Sequence, residues 1–220
     1  MQTHHAVLTL NTHPLHLITF DTSTFSDSDL LWLPHHRQLD HCGRKRKAEH
    51  LAGRIAAVHA LRAHQLQSVP GIGESGEPLW PAGRYGSISH CANHALAAVG
   101  QAPMGVDLET LLTPELCNDL TQSIITPDEH ATLTGSGLPF PLALTLAFSA
   151  KESLYKTFSA IALPFPGFDS ARVIALNSAA ITLQIDATFS RQLAGKCVDI
   201  AWMRHENQVV TLLALPASGS

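Results

Sequence analysis

A chain of 220 residues with 45% hydrophobic and only 15% charged side chains has ample material for a core and reads as one large or two small soluble globular domains. Its formal charge of −4 argues against bulk attraction to nucleic acid or an anionic membrane, so any grip on a phosphorylated ligand must come from a local basic segment. Cys42, Cys91, Cys117 and Cys197 form no C-x-x-C pair, and "MQTHHAVLTLNTHPLHLITF" lacks the basic start and unbroken apolar core of a signal peptide. Reduced thiols, no transmembrane segment and a cytoplasmic location are expected. The 14 histidines, including the pairs His4-His5 and His35-His36, lack regular helical ligand spacing and are expected mostly at the surface.

In chain order, "HPLHLITF" predicts an opening strand, and "SDSDLLWLPHH" a short helix with acid-rich capping ended by proline. "GRKRKAEHLAGRIAAVHALRAH" is the clearest helix. Leu51, Ile55, Val58 and Leu61 recur at core spacing, while Arg46, His50 and Arg54 fall four apart on a second, cationic stripe. Such stripes are more often solvated surface than ligand sites. "SVPGIGESGEPLWPAGRYG" predicts an irregular loop, and "SISHCANHALAAVG" a strand, a turn with Ser89 and His90 at its mouth, and a second strand. Ser-His adjacency without a G-x-S-x-G elbow is no hydrolase signature.

"MGVDLET" reads as a strand. Alternation sends Val106 and Leu108 to one face and Asp107 and Glu109 to the other. Two neighbouring carboxylates repel unless a cation, a basic partner or bulk water relieves them, so either a hard divalent ion or a solvated strand end fits. Beyond it, "TPEL" and "TPDE" look like helix starts with a capping threonine, a first-turn proline and early acids. "PLALTLAFSAKESLYKTFSAI" predicts a long buried helix with Glu152 and Lys156 one turn apart, a spacing that also suits a plain surface ion bridge. "ARVIALN", "ITLQID", "KCVDIAWMRHE" and "QVVTLLAL" read as four strands, and "PASGS" as a disordered tail. The boundary between halves is expected at Gly105, giving residues 1–104 and 105–220.

"GVDLE" followed by "FSAKESLYK" resembles the paired signature of the larger, single-chain, surfactin-synthetase-activating 4'-phosphopantetheinyl transferases. "GRKRKAEHLAGRIAAVHAL", "YGSISHC" and "LTLAFSAKES" resemble the branch serving enterobactin-like siderophore assembly by nonribosomal peptide synthesis. The likeness spans roughly Asp21 to Lys156 and is weak after Pro164. It implies an α+β pseudo-dimer of two similar halves with the active site in the cleft between them. The implied reaction moves the phosphopantetheine arm of coenzyme A onto a serine of an apo acyl, peptidyl or aryl carrier protein and releases adenosine 3',5'-bisphosphate.

By the same resemblance, Asp107, Glu109 and Glu152 hold Mg2+, Glu152 and Lys156 are catalytic, and Arg46, Arg54, Ser89 and His90 contact CoA phosphates. Glu77 and Pro78 border the adenine, and Asp107, Glu152 and Lys156 also meet the cofactor. Lys151, on another helical face, has at most a supporting role in phosphate or carrier contact. Phe148 and Ser153 stand where tryptophan and alanine are common in the broader family. A monomer is expected, with loose association with a synthetase complex possible and no nucleic-acid partner. The rival readings are another Mg-dependent phosphoryl-transfer enzyme and a non-catalytic CoA- or carrier-binding protein on the same scaffold.

Overall fold

The computed structural model describes residues 1–162 and 166–217. It is an α+β chain that forms two compact units, one built from Met1–Met104 and one from Gly105–Ala214. Leu215 belongs with the first unit, where its N–H donates to the Pro103 carbonyl at 3.0 Å. The tail expected to be disordered ends in residues 218–220, which lie outside the described residues.

In the first unit, β1 (Gln2–Leu10) and β2 (His13–Asp21) form an antiparallel hairpin. The sequence reading contained only the second of these strands. With β5 (Tyr85–Cys91) and β6 (His94–Gly100) they make a four-stranded antiparallel sheet in the order β1-β2-β6-β5. The expected short helix is a 3-10 segment, Asp27–Trp32, whose start carries a Ser26/Asp29 capping box. Helix α1 (Arg44–Ala63) packs on β2, β5 and β6. Leu51, Val58 and Leu61 are buried as their spacing predicts, and Ala48, Ala52, Ala56 and Ala60, four apart, present a small-residue ridge that lets the helix lie close to the sheet. The glycine- and proline-rich loop is more ordered than its composition suggests. It holds a two-stranded hairpin of β3 (Gly71–Ile72) and β4 (Pro78–Leu79), with Gly76 at φ 86° in its turn.

The second unit has a five-stranded sheet in the order β7-β11-β10-β9-β8. Its strands are β7 (Met104–Thr110), β8 (Ala171–Leu176), β9 (Ala180–Ile185), β10 (Cys197–His205) and β11 (Gln208–Ala214). Helices α2 (Pro114–Ile124) and α3 (Pro127–Gly135) start as predicted: Thr113 and Thr126 cap them, and proline occupies the first turn of each. Helix α4 (Phe140–Phe158) packs chiefly on β11, burying Leu144, Leu146 and Leu154. Three hydroxyls reinforce that contact, since Thr211 Oγ1 lies 2.8 Å from Ser149 Oγ and 2.7 Å from Ser153 Oγ. Ser153, a departure from the broader family pattern, therefore has a structural use here. Phe148, the other departure, packs against Phe168 with ring centroids 5.2 Å apart. Among the described residues, no helix is long and apolar enough to cross a membrane.

Candidate active site

Two clusters of charged side chains gather the residues singled out in the sequence. In the second unit, β7 delivers Asp107 and α4 delivers Glu152 and Lys156. The approach is close because residue 105 is glycine. A Cβ there would run into the Ser153 carbonyl and lie 2.6 Å from Thr157 Oγ1 and 2.8 Å from Thr157 N. Asp107 is 2% exposed, although alternation alone allowed a solvated strand end. Lys156 Nζ lies 2.6 Å from Asp107 Oδ1 and donates to the Val106 carbonyl at 3.2 Å.

Burial pushes the Glu152 carboxyl above the usual carboxylate range. The Lys156 ammonium pulls it back in part, and the Asp107 carboxylate adds to the rise. The three groups thus feel one another, and Glu152 is poised toward the proton-accepting end of carboxylate behaviour. Glu109, half-buried, follows Asp107 on the same strand face.

Among the described residues, no three His, Cys, Asp or Glu side chains converge closely enough to hold a metal ion as they stand. The expected Asp107, Glu109 and Glu152 seat is not among such groups, and the Lys156 ammonium lies against Asp107. The donor chemistry nevertheless fits a hard cation. All three candidate ligands offer carboxylate oxygen, and the repulsion between Asp107 and Glu152 is of the kind a divalent ion relieves.

Lys151, five residues before Lys156, is a different matter. It is buried, and its Nζ meets Glu129 Oε1 at 2.7 Å and the carbonyls of Ile124 and Phe168 at 2.8 and 2.7 Å. Glu129 completes the α3 capping box through Oε2 and accepts the Val173 N–H through Oε1. Lys151 fastens α4 to α3, to the end of α2 and to the segment before β8, which leaves its ammonium no hydrogen for phosphate or carrier.

In the first unit, Arg46, His50 and Arg54 share one stripe of α1, but they do not form a uniformly solvated face. Arg46 is exposed and Arg54 only 5% exposed. Arg54 Nε and Nη2 donate to the carbonyls of Pro70 and Gly71, both at 2.9 Å, so its guanidinium holds the β3–β4 hairpin. Burial, with Arg46 adding to it, lowers Arg54 to about 10, which still leaves it cationic at neutral pH. Among the described residues, its Nη1 meets no protein acceptor.

Arg46 Nη1 lies 2.9 Å from His90 Nε2. Ser89, next to it on β5, is 6% exposed and by alternation faces the other side of the sheet, so the pair does not act on one face through its side chains. Glu77 is exposed and accepts the Ser75 N–H at 3.0 Å, shaping the hairpin turn, and Pro78 pairs with Ile72. Sequence reasoning missed Glu49, whose Oε2 lies 3.8 Å from His90 Nδ1, and the contact between His35 and His50. Glu49 precedes His50 directly, and its place one turn after Arg46 was the available signal.

Comparison with known proteins bears on both clusters. Residues 35–100 match the family description "4'-phosphopantetheinyl transferase N-terminal domain", and residues 103–212 match "4'-phosphopantetheinyl transferase superfamily". The chain belongs to the 4'-phosphopantetheinyl transferase superfamily. It is 51% identical over 214 residues to enterobactin synthase component D of Salmonella typhi, covering 97% of this chain and 91% of the relative. The protein of the same name from Escherichia coli K12 is 56% identical over 156 residues, 71% of this chain and 76% of its own. The 4'-phosphopantetheinyl transferase PptT of Mycobacterium tuberculosis is 32% identical over 137 residues, covering 59% and 58%. The transferase likeness therefore runs well beyond Pro164, where the sequence motifs thin out.

Proposed function

We propose that the chain transfers the phosphopantetheine arm of coenzyme A to the serine of an apo carrier protein and releases adenosine 3',5'-bisphosphate. The observation that carries this reading is the Asp107, Glu152 and Lys156 constellation in a chain of this family. It presents a carboxyl raised by burial beside a lysine and a second acid.

In the proposed reaction the serine Oγ bonds to the phosphorus next to pantetheine while the bridging oxygen of the diphosphate leaves with the adenosine bisphosphate. A serine hydroxyl is a weak nucleophile at neutral pH, so Glu152 accepts its proton as the bond forms. Lys156 offsets charge on the departing bisphosphate. Arg46, Arg54 and His90 hold the nucleotide phosphates, Ser89 contributes through its strand backbone, and the Glu77–Pro78 turn shapes the adenine edge. The nucleotide contacts thus fall within 1–104 and the reacting acids within 105–220. Asp107, Glu152 and Glu109 are the residues that would hold a magnesium ion, which when bound supplies charge neutralisation for the diphosphate.

The names of the relatives support carriers of an enterobactin-like siderophore synthetase as partners. Incubation with CoA, Mg2+ and an apo aryl or peptidyl carrier domain should add the phosphopantetheine mass to the carrier. Release of inorganic phosphate without that adduct would count for a different phosphoryl-transfer enzyme, and CoA binding without turnover for a non-catalytic scaffold.

A further inference from the structure

The stripe Arg46, His50, Arg54 has at its centre a residue that the proposed chemistry leaves without a task. His50 lies one helical turn from each arginine. Its Nε2 is 2.9 Å from Nε2 of His35. Two ring nitrogens can share one hydrogen but not two, so the contact requires that one of these Nε2 atoms carry no proton. The same constraint applies beside it. A guanidinium only donates, so Arg46 Nη1 makes His90 Nε2 an acceptor.

The groups facing His50 are Arg46 and Arg54 from its own helix, His35 from the turn before His36–Leu39, and His90 from β5. Glu49 reaches His90 Nδ1 from α1. Burial first, then Arg54, His35, Arg46 and His90, push His50 down to about 3, and burial with Arg54 and His36 lowers His35 too. Without ligand the cluster already carries two guanidinium charges, and a further proton on His50 is opposed from both sides.

A phosphate at Arg46 and Arg54 opposes both burial and the arginines, because a nearby anion favours the imidazolium that they disfavour. We infer that His50 is a proton-coupled positioning residue of the phosphate site, neutral in the ligand-free protein and converted to imidazolium, with His35 as hydrogen-bond acceptor, when CoA phosphates dock. The proton comes from solvent. The inference rests on the assignment of Arg46 and Arg54 to those phosphates. Linkage makes the effect reciprocal: binding that takes up a proton is tightened by lower pH.

The test is to label the histidines with 15N and read imidazole protonation from two-dimensional spectra at neutral pH, with His50 assigned by its loss in His50→Gln. Without ligand, the His50 ring should show the neutral pattern, and saturating CoA should convert it to the imidazolium pattern. Calorimetry in two buffers of different ionisation enthalpy should count more protons taken up by wild type than by His50→Gln. The difference between the two proteins is the measure because the 3'-phosphate of CoA also titrates near neutrality. Between pH 6 and 8, wild-type CoA affinity should fall by about tenfold more than that of the variant. If His50→Gln does not fold, His35→Gln supplies the assignment by its perturbation of the His50 ring. A His50 ring that stays neutral at saturating CoA overturns the inference and leaves the functional reading intact. Wild type that binds no CoA overturns both.

Discussion

Lys151 and Lys156 leave the same helix five residues apart, each with its ammonium against a carboxylate, at 2.7 and 2.6 Å. Around Lys151 every hydrogen is taken, and Glu129 also holds the N–H groups of Thr126 and Val173. Its side chain is 4% exposed and that of Glu129 1%. Lys156 is 25% exposed, and its field acts on Glu152 as well as Asp107. Two ion pairs of nearly equal length therefore do different work. A pair with both members buried fastens elements, whereas a pair whose lysine is partly exposed beside a second acid can exchange partners with a charged substrate.

The largest effect should come from breaking the closed pair. Lys151→Met leaves Glu129 buried against no cation and should cost about 3–5 kcal/mol in urea unfolding. A loss below 1 kcal/mol would mean that the pair fastens nothing. Glu152→Gln should do the reverse, lowering carrier modification by roughly 10²-fold while the unfolding midpoint stays near wild type. Recovery of near wild-type turnover at high Mg2+ would remove the base role and leave Glu152 a ligand.

Acid carries the comparison into the first unit, where imidazoles face one another instead of carboxylates. His16 is 7% exposed and stacked on His5, with His5 Nε2 3.0 Å from its Nδ1. Burial, then the neighbouring histidines, lower it to about 4. Between that value and the 6.5 of a free imidazole, the unfolded chain holds more protons than the folded one. The stability contributed by a neutral His16 is thus complete above pH 6.5 and drains as pH falls toward 4. His16 should account for about 2 kcal/mol of the stability lost between pH 7 and pH 5, and His16→Leu should make that limb shallower by that amount, leaving the part due to His50. The smallest effect is expected from Arg54→Ala, with CoA affinity weakened by about tenfold and saturated turnover changed less. A collapsed rate at unchanged affinity would move Arg54 out of the phosphate site.

What the sequence made legible was local. The capped starts of α2 and α3, the amphipathic α1 and the strands after Pro166 rest on spacings of a few residues, and the structure reproduces them. Long-range contacts were not legible. The stripe spacing alone gave no sign that Arg54 is buried, because its acceptors, the carbonyls of Pro70 and Gly71, arrive from a loop 16 and 17 residues on. On sequence alone Lys151 has at most a supporting role in phosphate or carrier contact, because Glu129, its partner, lies a helix away. Strand β1 went unread because its polar residues are exposed and its turn, Asn11 and Thr12 at φ 46° and 68°, lacks the glycine that usually marks such a bend. Three of the histidines, His5, His16 and His59, contributed by β1, β2 and α1, form a stack that no periodicity within one element could reveal.

The missing side chain at Gly105 has a consequence for how such a site can vary. The distance from Asp107 to Lys156 is gauged by the contact of a bare backbone with the Ser153 and Thr157 turn of α4. A single methyl there would pry the strand from the helix and draw the acid off its partner, with every ionisable group still present. The position has no chemistry of its own, yet it admits no side chain at all, since even a Cβ meets the Ser153 carbonyl and Thr157. Any attempt to rebuild this centre on another scaffold would have to fix that spacing before choosing a single charge.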